Sequence, residues 1–247
     1  MRNLVSLELY KLRTTPAAWV SLAVTLVLGT ASVASNALVA NPGGPAFGST
    51  DHVNHALSVS ALTSMVMLAV GVLIIAGEYR HRTIMQTFLA EPRRVRVLAA
   101  KAATALGLGA ILGAVTFGIA YGEALAIYGA RGVHSLPVDV AQLWVGATVA
   151  TALYGLVGVA LGALTRNTVA AIIGAIAWVM VIEAGILGSI VPNVAHWLPA
   201  GAAIALTSVG TAAQGALSPT AAALVLAGWA LLISGIAARF SLRSEAH

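Results

Sequence analysis

Six stretches of this chain are apolar over roughly the length a helix needs to cross a bilayer, about 20 residues at 1.5 Å rise each. They fall near residues 17–39, 56–77, 102–128, 138–164, 168–190 and 220–238. The third and fourth exceed the minimum, which predicts tilt or ends that emerge from the lipid. A further apolar region, 191–219, is interrupted by Pro192, Pro199 and Pro219, and its longest clean piece, 200–209, is too short to cross. It reads as a re-entrant segment of one or two short helices, with Trp197 near the interface. The first sixteen residues predict a helix as far as Pro16. Val5, Leu9 and Leu12 share a face, and Glu8 and Lys11 lie opposite. That weak amphipathic pattern suits a helix lying on the leaflet surface.

Composition turns the pattern into a class. The chain is 59% hydrophobic and 9% charged, with mean hydropathy +0.93. A soluble domain carries about 45–50% apolar residues and about 25% ions. The expected fold is therefore an all-α integral membrane protein: six transmembrane helices, an N-terminal interfacial helix, a cytoplasmic loop helix and a re-entrant segment before the last span. The net charge of +5 alone would point towards nucleic acid. In a membrane protein it reflects basic cytoplasmic loops instead, so no nucleic-acid partner is expected. With no cysteine in the chain, disulfides, thiolate metal sites and thiol nucleophiles are excluded. The first apolar run is long for a signal peptide and reads as an uncleaved span.

Charge also sets the orientation. Twelve of the thirteen Lys and Arg residues lie in 1–16, 78–101, 165–167 and 239–247, and only Arg131 lies in the opposite set of connections. This asymmetry predicts that both termini are cytoplasmic, in a multi-pass protein of the cell membrane, of the bacterial plasma membrane type. Gly109/Gly113, Gly118/Gly122 and Gly158/Gly162 are each GxxxG pairs, expected to let helices approach closely within the bundle.

The longest cytoplasmic loop opens with "GEYRHRTIMQTFLAEPRR", Gly77 to Arg94. Residues 78–89 contain no Pro or Gly and predict a short helix that Pro92 ends. Ile84 with Phe88, and Met85 with Leu89, make an apolar stripe, with Arg80 and Arg82 largely off it. Such a helix fits a groove in a cytoplasmic partner. The same residues also fit a basic loop that fixes topology and binds anionic lipid headgroups.

Over about 25 residues, "GEYRHRTIMQTFLAEPRRVRVLAAK" resembles the cytoplasmic signature of ABC-2 type permeases, membrane subunits of ATP-binding cassette exporters. The matching features are Glu78, Thr83, the Phe88–Leu89 pair, Pro92 with Arg93, and Lys101 opening the third span. Arg82 stands where the family usually has glycine. The resemblance implies a coupling helix that docks on a separate ATPase subunit through Glu78, Arg80, Arg82, Thr83, Ile84, Phe88, Leu89, Pro92 and Arg93. It also implies a second permease copy or a related permease, and contact with membrane lipids. ATP and Mg would sit in the partner ATPase, with no cofactor bound by this chain. Consistent with a separate motor, the chain has no GxxxxGK[ST] phosphate loop.

Glu123 and Glu183 fall inside spans, in the outer half. Intramembrane ions are costly and face a bundle interior or wet cavity, so both are candidates for a translocation path. Local pairing, with Arg131 as a partner for one of them, is the structural alternative. His52 and His55 are the one histidine pair with metal-ligand spacing, and no metal site is expected. There is no HExxH or GxSxG, so the chain is not expected to be an enzyme. Two other readings accompany the permease: a proton-coupled secondary transporter using Glu123 and Glu183, and a non-transporting assembly or sensor subunit.

Overall fold

A computed structural model describes residues 7, 8, 10, 16–38, 44–80, 94–210 and 215–243. The described chain is helical, without strands, and holds six helical segments long and apolar enough to cross a membrane. We number the helices α1 (Pro16–Leu38), α2 (Thr50–Ala56), α3 (Ser60–Arg80), α4 (Arg94–Ala130) and α5 (Val140–Thr165). The fifth span begins as α6 (Thr168–Ala177), widens to a π-helix over Trp178–Leu187 and closes with Gly188–Ile190. Two short helices follow, α7 (Pro192–Ala195) and α8 (Pro199–Thr207), and then α9 (Pro219–Arg243).

Local chemistry explains most of the ends. Asp139 caps α5, its carboxylate accepting from the Gln142 N–H at 3.0 Å. At the other end of α5 Arg166 turns into the left-handed region at φ 52°. Asn167 then caps α6 by accepting from the N–H groups of Val169 and Ala170. Pro199 opens α8, where its missing N–H has no intrahelical partner to lose. The candidate interfacial helix at residues 1–16 lies almost wholly outside the described residues, although Leu7, Glu8 and Tyr10 are helical.

The bundle is built around α5, which packs on α3, α4 and α9 and also meets α6 and α8. α3 and α5 bury most of their apolar windows, whereas α1, the fifth span and α9 leave theirs largely exposed, as lipid-facing helices do. Small residues make the α5 contacts possible. A Cβ on Gly158 would sit 2.1 Å from the Leu68 carbonyl oxygen of α3, and one on Gly109 would sit 2.7 Å from the Ala152 Cα. Two of the three GxxxG pairs thus seat α3 and α4 against α5 inside the bundle. The third differs: Gly118 meets the Trp144 ring, and a Cβ on Gly122 would meet nothing within 4 Å.

The end remote from the 78–101 connection is zipped by polar contacts. Arg131 donates to the carbonyls of Ala37 and Leu38 at the end of α1 and lies 5.1 Å over the Phe47 ring. Asn54 on α2 accepts from the Val209 N–H at 3.0 Å, which fastens the chain beyond α8 to α2. The 191–219 region is therefore no loose loop where it is described. Ala200, Ala202, Ala205 and Leu206 of α8 are buried against the bundle.

Close approach at α5 makes a directional prediction. Gly158→Ala must push α3 outward and should lower stability by about 1–3 kcal/mol, the usual cost of overpacking. Gly122→Ala should leave it unchanged. Thermal unfolding of the detergent-solubilised variants measures both, and equal melting temperatures would refute this packing.

Candidate functional site

The end of α3 and the start of α4 are joined by one buried cation. Lys101 sits two turns into α4, wholly enclosed. Its ammonium donates to Glu8 Oε2 at 2.9 Å, to Glu78 Oε1 at 2.8 Å and to the Ile74 carbonyl at 3.1 Å. An ammonium has three donors, and here all three are used. Glu8 comes from the N-terminal segment, Glu78 and Ile74 from the last turns of α3, and Lys101 from the start of α4. Three chain segments that a membrane surface would otherwise leave loosely held are thus fastened at one atom.

Burial makes the arrangement all or nothing. The side chains of Glu8 and Glu78 are only 9% and 12% exposed. A carboxylate taken out of water without a partner costs several kcal/mol, so each is held against the cation. This changes the expectation for Glu8. Helical projection placed it on the polar face opposite Val5 and Leu9, yet it is buried, because its partner lies 93 positions along the chain. The sequence offered one cue: Glu78 and Lys101 are opposite charges at the two facing ends of consecutive apolar runs. Nothing in sequence spacing pointed to Glu8.

Around this cluster Arg80 is exposed, and Arg166, in the short turn after α5, lies 5.6 Å over the Tyr79 ring. The loop at 165–167 therefore shares an end of the bundle with the 78–101 connection. Of the other candidate coupling residues, Arg82, Thr83, Ile84, Phe88, Leu89, Pro92 and Arg93 lie outside the described residues.

The two intramembrane acids part company. Glu183, on the π-helix, is 3% exposed, and its Oε2 accepts from the Ala200 N–H of α8 at 2.7 Å. It lines a partly open cavity of about 330 Å³. Glu123, on α4, does not line that cavity. Arg131 is no partner for it, being engaged with the end of α1 and Phe47. His52 bonds the Tyr128 hydroxyl through Nδ1, with its ring tilted against Phe47 and edge-on to Tyr128. Among the described residues no cluster of three metal-ligating side chains occurs. The π-helix was not foreseen; such widenings often mark functional positions in helices.

The family model described as "ABC-2 family transporter protein" matches residues 4–185, well over half of the chain. The match spans the buried cluster, since Glu8, Glu78 and Lys101 all fall inside it, and it ends just past Glu183. Searches of curated proteins and of solved structures return no match.

The cluster can be tested on stability. Lys101→Met removes the cation between two buried carboxylates and should cost about 3–5 kcal/mol. Adding Glu8→Gln and Glu78→Gln to it removes the charges that Lys101 faced and should recover a good part of that loss. Melting of the purified variants reads this directly. A triple variant no more stable than Lys101→Met would show that the ions are not coupled.

Proposed function

The chain belongs to the ABC-2 transporter family, and on that premise we propose that it is the permease subunit of an ATP-driven exporter that docks on a separate ATPase through residues 78–93. Membership makes it a membrane subunit of an ABC transporter. The observation that carries the finer reading is the Lys101 cluster, because it lies at the root of the proposed coupling segment. Glu78 stands three residues before the segment's 81–93 core and Lys101 stands eight residues after it. Their contact closes the segment at its base.

The mechanical consequence follows from where the cluster is anchored. A force on a segment with unfastened ends would only bend the nearest turns. Here the exit of α3, the start of α4 and the N-terminal segment are held together, and α3 and α4 both pack tightly on α5. Movement of the docked ATPase would therefore pass to the spans as movement of packed units, the rigid-body kind of transition. ATP and Mg belong to the partner's chemistry. This chain's own residues hold the contact and form the path through lipid. Two permeases, this chain and a second copy or a relative, would face each other across that path in the cell membrane, with both termini on the ATPase side.

The rival proton-coupled reading needs Glu123 and Glu183 on one route. Only Glu183 lines the cavity, so that reading gains less support from the geometry.

Replacing the stripe residues tests the docking. Tagged Ile84→Glu/Phe88→Glu chain, purified from native membrane, should insert normally but lose at least nine-tenths of the co-purifying ATPase. Full retention of the ATPase by that variant would sink the proposal.

A further inference from the structure

We infer that the cavity beside Glu183 is a binding site for a small lipophilic amine, with its ammonium on the free carboxylate oxygen. The cavity, about 330 Å³, lies between α3, α5, α6 with its π-helix, α8 and α9. It reaches from Thr165, the last residue of α5, to Pro199, the first of α8. Its volume is at the lower end of the range for small-molecule pockets, about 300–1,000 Å³.

The lining fixes the chemistry of the occupant. Leu68, Val157, Leu161, Ala171 and Ile233 make the body of the cavity apolar, and Glu183 is the one carboxylate among the described residues that line it. Glu183 Oε2 is held by the first turn of α8, where a negative charge is favoured. Its other oxygen, Oε1, is buried without a hydrogen-bond partner. A buried polar atom left so costs free energy that a donor from a ligand would return. Three rings, Tyr154, Trp178 and Trp229, line the same space. Aromatic faces attract an ammonium through their quadrupole and offer it a second contact that an uncharged head would lack. An apolar body with one cationic head satisfies all three features. A bare hydrocarbon chain satisfies only the first, and an anionic ligand is opposed by Glu183.

As a statement about binding, the inference stands on the cavity alone. Only in taking such an amine for cargo does it rest on the transport reading above, and the test needs no ATPase. Full-length protein in phosphatidylcholine nanodiscs is titrated with radiolabelled 4-phenylbutylamine and, in parallel, with the uncharged 4-phenylbutanol. The amine should bind saturably, one per chain, at least tenfold more tightly than the alcohol. Glu183→Gln should weaken the amine at least tenfold and leave the alcohol unchanged. Ala175→Leu enters the cavity from a buried lining position and should remove both. Equal binding of the two probes by the unmodified chain would overturn the inference and identify a crevice for a lipid tail. So would amine binding that survives Glu183→Gln, or an absence of saturable binding. If Glu183→Gln does not fold, the amine-to-alcohol ratio of the unmodified chain and the effect of Ala175→Leu still decide.

Discussion

Everything at the 78–101 end of this bundle depends on a single buried ammonium. Lys101 has no exposure, and its protons are directed to Glu8 of the N-terminal segment and to Glu78 and the Ile74 carbonyl at the end of α3. Such a charge persists in an apolar setting only while its partners stay in place. The converse also holds: the ammonium of Lys101 between Glu8 and Glu78 offsets the burial of both carboxylates. The cost of losing any member is what turns three short segments into one mechanical unit.

That unit is useful because of what lies behind it. α5 is the spine, and backbone-to-backbone approach at Gly109, Gly113, Gly158 and Gly162 leaves α3 and α4 little freedom to slide on it. In lipid, where apolar side chains gain nothing from leaving the solvent, such close packing is a main source of helix association. At the opposite end, Arg131 on the α1 carbonyls and Asn54 on the Val209 N–H perform a similar fastening with neutral or singly charged groups. Between the two ends the fifth span behaves differently. Its π-helix and its largely exposed surface set it apart from the buried α3 and α5, and it carries Glu183 at the edge of the cavity.

The spans themselves were legible in the sequence, because a twenty-residue apolar run has few structural options in a membrane. The third was read as beginning near residue 102, whereas α4 starts at Arg94. Hydropathy alone marks where lipid begins, and a helix free of proline runs on through the basic residues at the surface. The 191–219 prolines correctly signalled short helices, since Pro192 and Pro199 each begin one. The cluster was only half legible. Glu78 and Lys101 stood out as ions at the borders of apolar runs, but burial of Glu8 is a tertiary fact that local periodicity cannot contain. The π-helix had no visible sign at all, because its ten residues are as apolar and as free of proline as any α-helical span.

The central claim is that Lys101 holds the N-terminal segment to the end of α3. The chain has no cysteine, so spin labels can be placed at Tyr10→Cys and Arg80→Cys without background. Double electron–electron resonance between them in nanodiscs should give one narrow distance distribution, which Lys101→Met broadens. A distribution that is equally narrow with and without Lys101 would contradict the account.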